Sequence, residues 1–428
     1  MLKIIRNAWS IPELRKKLLF TLLVVVIFRL GSFIPVPFVN LDAIGSLAGL
    51  AGSGLFAYLD MFSGGAFSQG TLFAMSISPY INASIIMQLL AVGIPALERL
   101  SKEPDGQKKI GQITRYLAVG LGVIQGFGYY TILNRYNLLE VANVFAAIVI
   151  IATFSAGAAI IMWLGEQVNE KGIGNGISMI LFAGIISRIP SAIVSMVNTF
   201  IISEGFNIVN YLLLLLILVV TFAMIVFIVF MTNAERRIPV QYSKKVVGRK
   251  MYGGQSSFIP IKVNNTGVMP IIFAGTFLAI PSTIAAFLAQ GNGFRAWVEN
   301  NFAPNSPLYA VIYFILIIAF AFFYIAISVN PVEMANNIKS SGGFVPGIRP
   351  GKPTSDFIKK ILYRVTVIGA LFLGIIAIVP TIISLFSDKL AGFSLGGTSI
   401  LIVICVSLET VRALESQMLM RHYKGFLE

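Results

Sequence analysis

The sequence has little charge and almost no cysteine or histidine. Charged residues make up 12% of the 428 positions and hydrophobic residues 57%, with a mean hydropathy of +0.85. A soluble domain would carry about 25% charged residues, so a soluble fold is excluded. One cysteine, Cys405, excludes an intramolecular disulfide framework. One histidine, His422, leaves almost no material for histidine-based metal or acid–base chemistry.

The chain does contain many apolar runs near the length of about 20 residues that crosses a bilayer. The basic residues before the first run, 18–28, resemble the front of a signal peptide, but no small-residue cleavage site follows, so this run predicts a retained span. We expect ten spans, at roughly 18–38, 71–93, 116–133, 143–165, 176–198, 210–233, 267–290, 308–330, 361–384 and 397–415.

The basic residues divide unevenly between the two sides of these spans. The N-terminal segment, the even-numbered connections and the C-terminal tail hold 27 of the 32 Lys and Arg. The odd-numbered connections hold Arg135, Arg295 and Lys389, and Arg29 and Arg188 lie inside or near the outer ends of spans. The positive-inside rule therefore predicts that both termini are cytoplasmic.

Ten spans also predict a division into two halves. Because each half has an odd number of spans, the two halves enter the membrane from opposite sides, as in an inverted repeat. The symmetry is a hypothesis from topology alone. The expected units are a cytoplasmic segment 1–17, a first half 18–198, an external connection 199–209, a second half 210–415 and a cytoplasmic tail 416–428.

Two cytoplasmic connections, 234–266 and 331–360, are too long to be simple turns. In the first, RIPVQY and SFIPIKV have β-like character and flank a basic, glycine-containing tip, which predicts a protruding hairpin. The second contains the basic, proline-rich stretch GGFVPGIRPGKPT. Clustered Lys and Arg suit phosphate-bearing or acidic surfaces, so we expect docking of a cytoplasmic partner. Lipid headgroups are the competing explanation.

Few ionisable residues lie within the spans. We expect Arg29, toward the outer half of the first span, to snorkel or to form a structural ion pair. Glu409 and Arg412 are spaced to pair with each other, and Asp60 lies on the outer side. None of these forms a proton relay or a nucleophile–base pair, which disfavours an enzyme. A secondary transporter for a small solute stays open as an alternative, although it would need a polar binding cluster in the membrane.

The stretch AYLDMFSGGAFSQGTLFAMSISPYINAS, residues 57–84, is too apolar for a soluble loop and too broken for a lipid-facing helix. Non-helical backbone at membrane depth must be buried or line a cavity. Residues 57–70 therefore predict a re-entrant element, hinged at Gly64–Gly65. Ile77 and Ile81 follow at helical spacing around Pro79, and Ile177 and Leu181 repeat that spacing.

Several long motifs carry a resemblance to a known family. MFSGGAFSQG with PYINASIIMQLL, MWLGEQVNEKGIGNGIS, ERRIPVQY, VNNTGVMPIIFA, NPVEMANNIKSSGGFVPGIRPG and GGTSILI occur in order along the chain. Together they resemble the SecY family, the channel subunits of the bacterial protein translocase. The resemblance implies an all-α polytopic membrane protein, with ten transmembrane helices in two pseudo-symmetric inverted five-helix halves around an hourglass pore and a re-entrant plug helix.

The resemblance also implies roles for particular residues. Residues around 55–66 would form the plug, and the next spans would supply a pore ring and a lateral gate. The implied plug residues are Leu55, Tyr58, Met61, Phe62, Gly64 and Gly65; the pore ring is Ile77, Ile81, Ile177, Leu181, Ile272 and Ile402; the lateral gate is Asn82 and Gln88 facing Thr276 and Ile280. Two positions depart from the usual family pattern: Leu181 replaces isoleucine and Ser76 replaces glycine.

The same resemblance implies partners and a location. The SecA motor ATPase or the ribosome would dock on Arg236, Arg237, Arg249, Lys250 and Arg349. SecE and SecG would be the membrane partners, and the substrates would be signal sequences and nascent chains that cross the bacterial cytoplasmic membrane or enter its lipid bilayer. No cofactor and no enzymatic activity are implied.

Overall fold

The computed structural model describes residues 2–40, 60, 63–103, 105–202, 208–242, 245–247, 250–252, 256–288, 292–302, 306–386 and 396–424. The first part of the described chain is mainly helical, with non-helical backbone at 32–40, 64–77 and in the shorter connections between helices. Its helices are α1 (Leu2–Ser10), α2 (Pro12–Gly31), α3 (Ser78–Gly93), α4 (Pro95–Lys102), α5 (Gly106–Arg135), α6 (Val144–Lys171) and α7 (Gly176–Val197).

The second part alternates long helices with short strands. Its helices are α8 (Ile208–Asn233), α9 (Met269–Phe287), α10 (Gly293–Asn301), α11 (Pro307–Ser328), α12 (Pro331–Ser340), α13 (Lys352–Phe386) and α14 (Gly396–Lys424). Proline in the first turn starts α2, α3, α9 and α11, because its missing N–H is not needed there.

Within the described residues, seven helices are long and apolar enough to cross a membrane. The count is eight if α3 and α4, bent by 106° at their junction, form one span. Helices α2 and α9 coincide with the other two predicted spans. The prediction of an all-α polytopic protein is confirmed, and the count of ten crossings stays a prediction.

Helix packing divides these helices into two groups. In the first group α2 packs against α6 and α7, α3 against α5, and α5 against α6. In the second group α13 packs against α11 and α14, α9 against α11, and α8 against α14. Helices α7 and α14 pack against each other and so join the two groups.

The second span begins later than the sequence predicted. Residues 64–77 form turns and one isolated bridge, and helix α3 starts only at Ser78 rather than near residue 71. Ser76 has a left-handed backbone conformation, with φ of +48°, which interrupts a helix. Leu72 donates from its N–H to the carbonyl of Ile34, so the broken backbone pairs with the chain after α2.

The two long connections that the sequence predicts to be cytoplasmic fold into one unit, which we call the cytoplasmic unit after that prediction. Strand β1 (Glu235–Tyr242) pairs antiparallel with β4 (Ser256–Lys262), which confirms the predicted hairpin. The short β2 (Lys245–Val247) and β3 (Lys250–Tyr252) pair near its tip, and β5 (Gly343–Phe344) joins the other edge of β1. Buried Ile238, Val240 and Ile261 pack with apolar residues of α11, α12 and α13.

Candidate functional site

A large apolar cluster lies where the two helix groups meet. It contains all six residues assigned to the pore ring, which come from the start of α3 and from α7, α9 and α14. Ile77, Leu181, Ile272 and Ile402 are buried, with at most 4% of each residue exposed. Ile81 and Ile177 are half-buried and pack against the same cluster. We call these six residues the aliphatic collar: Ile77, Ile81, Ile177, Leu181, Ile272 and Ile402.

Local sequence explains how α7 presents its two collar residues. Asn175 caps the helix by accepting from the N–H groups of Ile177 and Ser178. A Cβ on Gly176 would lie 1.9 Å from the carbonyl oxygen of Gly165, so only glycine allows α7 to approach α6 this closely. Ile177 and Leu181 then fall one turn apart on the same face.

The residues assigned to the lateral gate lie on α3 and α9, as the resemblance implied. The side-chain hydrogen bonds of Gln88 and Thr276 stay within their own helices. Gln88 donates to the hydroxyl of Ser84 at 3.2 Å, and Thr276 donates to the carbonyl of Ile272 at 2.9 Å. Asn82 is half-buried and Ile280 is 47% exposed. Helix α3 packs mainly on α5, and α9 packs mainly on α11. A lateral gate between α3 and α9 therefore stays a prediction.

A contact between the two groups does occur at the outer ends of the helices. Arg135, at the end of α5, donates to the carbonyl of Leu288, which follows α9, at 3.1 Å. Arg295 donates to the same carbonyl at 3.2 Å. Two of the three basic residues in the predicted external connections therefore cap the end of α9, where helix carbonyls lack intrahelical partners.

The outer turn, which we define as Asp60 and Ser63–Gly65, docks against α2 and α7. Asp60 is 1% exposed, and its Oδ2 lies 2.7 Å from Nη1 of Arg188. Arg29 donates to the carbonyl of Gly64 at 3.2 Å and to the hydroxyl of Ser187 at 3.3 Å. Among the described contacts, Arg29 is therefore held by hydrogen bonds to neutral groups, rather than by the ion pair that the sequence suggested. Of the assigned plug residues, Gly64 and Gly65 lie in this turn, whereas Leu55, Tyr58, Met61 and Phe62 lie outside the described residues.

The residues assigned to partner docking lie on the cytoplasmic unit, in different environments. Arg236 is exposed on β1, whereas Arg237 is held by Glu235 at 2.7 Å and stacks on the ring of Phe258 at 4.6 Å. Arg349 is exposed on the turn before α13, and the hydroxyl of buried Thr354 donates to its carbonyl at 2.9 Å. Lys250 begins β3, and Arg249 lies outside the described residues.

The expected pairing of Glu409 with Arg412 is replaced by another contact. Arg412 donates to the carbonyl of Thr232 at 3.1 Å and to the amide oxygen of Asn233 at 2.7 Å, both at the end of α8. A guanidinium suits this position because the last carbonyls of a helix are unsatisfied and partly negative. Partial burial and the nearby Arg412 lower the pKa of the Lys262 amine at the end of β4.

Among the described residues, the sequence analysis missed two ion pairs that join distant parts of the chain. Besides Asp60 and Arg188, Nε of Arg115 on α5 lies 2.6 Å from Oε1 of Glu166 on α6. The available signal was the presence of opposite charges in an otherwise uncharged membrane region, where such residues tend to pair. Sequence separation gave no indication of which residue pairs with which.

The fold and this site define a class: a polytopic membrane protein in which two groups of helices meet at a buried aliphatic cluster, with a docked turn beside it and a basic unit built from the two long connections. The chain belongs to the SecY family, because residues 71–411 match the family model named SecY.

Similar proteins agree along the whole length. Proteins named protein translocase subunit SecY from Streptomyces scabiei and Bacillus subtilis are 44% and 43% identical, each over 100% of both chains. A solved structure described as a protein conducting channel is 19% identical, with a TM-score of 0.62, covering 94% of this chain and 92% of that one. Sec61 in a canine ribosome-channel complex is 18% identical, with a TM-score of 0.59 and the same coverage.

Proposed function

We propose that this chain is the channel-forming subunit through which unfolded secretory polypeptides cross the bacterial cytoplasmic membrane. The observation that carries the proposal is the aliphatic collar, which gathers residues from both helix groups into one dry cluster. A hydrophobic constriction gates by dewetting and offers an ion no ligands. The same soft side chains can deform around a passing chain of any sequence, which fixed polar ligands could not do.

The resting seal would have a second layer in the plug. Residues 55–66 would close the outer side of the collar, with the outer turn at their C-terminal end. Gly64 and Gly65 adopt φ of +68° and +90°, backbone conformations that favour glycine and allow the chain to fold back sharply.

The lateral gate would open between α3 and α9, at Asn82, Gln88, Thr276 and Ile280. Hydrogen bonds between membrane helices contribute only about 0.6–2 kcal/mol each, so such a seam could hold when empty and still open. An arriving apolar signal helix would favour the open arrangement by its greater affinity for it, which is a population shift.

The cytoplasmic unit would receive the partner that supplies energy. Exposed Arg236 and Arg349, with Arg237, Arg249 and Lys250, would present positive charge to SecA or to ribosomal RNA. The ribosome is supported as a partner by the canine Sec61 structure, which is a ribosome-channel complex. SecE and SecG would be the membrane partners, and both termini would lie in the cytoplasm.

The first test places a photoreactive residue at Ile81, in membranes that contain SecE and SecG, with a secretory chain stalled in transit. We expect a cross-link from position 81 to the stalled chain, because Ile81 belongs to the collar through which that chain would pass.

The matched control is the same photoreactive residue at Phe222, which is 68% exposed on α8 and should not label the chain. Labelling at 222 but not at 81 would contradict the pore assignment and would direct the search to a small solute in the same cavity.

A further inference from the structure

Helix α10 carries two large aromatic side chains on an exposed side. Phe294 is 45% exposed and Trp297 is 50% exposed, and their rings stack with centroids 6.4 Å apart. Residues three apart are neighbours on a helix, so the two rings form one patch, which we call the aromatic face. We propose that the aromatic face is an interfacial membrane anchor, inserted among lipids where the headgroups meet the acyl chains. This inference does not rest on the proposed channel function.

The neighbouring helices place α10 at a boundary of the membrane. It packs against α9 and α11, between which it lies in the chain, while the far end of α11 contributes buried Ile325 to the cytoplasmic unit. The 22 residues of α11 span about 33 Å, close to the thickness of about 30 Å of a hydrocarbon core. With the cytoplasmic unit in water beyond one membrane surface, α10 therefore lies at the opposite surface.

Contacts on another side of α10 fix the direction in which the aromatic face points. Arg295 donates to the carbonyl of Leu288, which follows α9, at 3.2 Å. Val298 is 2% exposed and packs toward the protein. Rotation of α10 that buried the aromatic face would break the hydrogen bond of Arg295 and expose Val298. The exposure of the two rings is thus a consequence of how the helix is docked.

A third side of α10 is small and polar. Ala296 and Asn300, four residues apart, are both exposed on it. One side against protein, one aromatic and one polar is the arrangement of a helix that lies in the plane of a membrane interface. Tryptophan is enriched at this depth because its ring is apolar and its N–H is polar.

The surfaces of the adjoining spans indicate that lipid is what covers the aromatic face. Exposed apolar residues line one side of α11 at spacings of three and four: Leu308, Val311 and Ile315. On α9, Ile284 is exposed in the last turn. Such apolar stripes on membrane spans face lipid, and both reach the helix ends that α10 joins. The aromatic face therefore continues the lipid-facing surface to the edge of the bilayer.

The test uses a chain in which Trp297 is the only tryptophan. The sequence has three, so Trp9→Phe and Trp163→Phe remove the others. The full chain is reconstituted in phosphatidylcholine vesicles whose acyl chains carry bromine either near the headgroup or near the bilayer centre. We expect the shallow bromines to quench Trp297 fluorescence about twofold more than the deep ones, because interfacial helices are buried only about 5–10 Å into the headgroup–acyl boundary.

The matched control moves the indole to the polar side of the same helix, by Ala296→Trp combined with Trp297→Phe. We expect quenching by the shallow bromines to fall about twofold or more, and quenching by aqueous iodide to rise, because this side of an interfacial helix faces water. Equal bromine quenching from positions 296 and 297 would contradict an anchor that depends on the aromatic face.

Other surroundings of the aromatic face give different results, each of which would overturn the proposal. Quenching of Trp297 by iodide but not by brominated lipid would place it in water. Quenching by neither would mean that a second copy of the chain covers it. Loss of bromine quenching on addition of tryptophan-free SecE and SecG would assign the face to those subunits. If the single-tryptophan chain does not fold, the difference in quenching between the unmodified chain and Trp297→Phe decides in the same way.

Discussion

Ser76 adopts a left-handed backbone conformation directly before the first collar residue. Its φ is +48°, and it is 1% exposed. This conformation costs an L-residue about 1–2 kcal/mol and costs glycine almost nothing. This backbone conformation explains why the usual family pattern has glycine at this position. The serine in this chain has to be stabilised there by its surroundings.

The strain at Ser76 gives a prediction for stability. We expect Ser76→Gly to change the free energy of unfolding by less than about 1 kcal/mol, because relief of strain offsets the added freedom of the unfolded chain. We expect Ser76→Val to lower it by about 2 kcal/mol or more, because a β-branched residue is least tolerant of positive φ. Thermal melting of the detergent-solubilised protein measures both. Ser84→Val, inside α3, is the control, and an equal loss there would contradict the backbone explanation.

The sequence did not predict which individual side chains contact each other across the fold. The collar residues of α7 could be predicted because a spacing of four is a local property of a helix. The pairing of Asp60 with Arg188 could not, because it depends on how α7 packs beside the outer turn. The same holds for Arg412, whose neighbour Glu409 is close in sequence but whose contacts lie on α8.

At the scale of elements, one glycine allows the broken stretch before α3 to lie against α6. A Cβ on Gly157 would fall 2.1 Å from the carbonyl oxygen of Leu72, which is backbone and cannot rotate away. The N–H of Leu72 is meanwhile bonded to Ile34 at 2.8 Å, so the segment is held on both sides.

We therefore expect Gly157→Ala to lower the free energy of unfolding by about 1–3 kcal/mol, as overpacking does elsewhere. Gly120→Ala is the matched control, because Gly120 lies in α5 with no other atom within 4 Å of its Cβ position. Alanine should stabilise α5 there by a few tenths to about 1 kcal/mol. Opposite shifts in the melting temperature are the expected result, and a loss in both variants would contradict it.

The sequence predicted where the membrane-spanning helices lie better than it predicted where they begin and end. Apolar length located the spans, because crossing a bilayer sets that length. Helices α5, α13 and α14 continue well beyond the predicted cytoplasmic ends, since backbone hydrogen bonding does not stop where the apolar run stops. The start of α3 was placed too early because left-handed Ser76 has no periodic signature.

At the scale of the whole molecule, the two long connections form the single cytoplasmic unit, a platform whose placement on that side of the membrane is a prediction. The short strand β5 belongs to the second connection and pairs with β1 of the first. The basic composition of both connections predicted a docking role, but their association could not be predicted, because β2–β4 and α9–α12 separate the paired strands β1 and β5 along the chain.

This platform gives a prediction for partner docking. Arg349 is exposed on a turn held by buried Thr354, so charge reversal should alter the surface without unfolding it. We expect Arg349→Glu to slow SecA-driven or ribosome-coupled export about tenfold, as for a charge lost from an interface. Lys109→Glu, at an exposed position on α5 with the same charge change, is the control. Normal export by both routes in Arg349→Glu would remove Arg349 from the docking surface.

The ion pair between Asp60 and Arg188 also has a consequence for biosynthesis. Arg188 is translated about 130 residues after Asp60, an interval of roughly 6–26 s at bacterial rates of about 5–20 residues per second. Until α7 has been made and inserted, Asp60 has no arginine from that helix with which to pair. Helices α2, α3, α5 and α6 are therefore synthesised before the outer turn can dock, so docking of this turn is a late step in the folding of the first helix group.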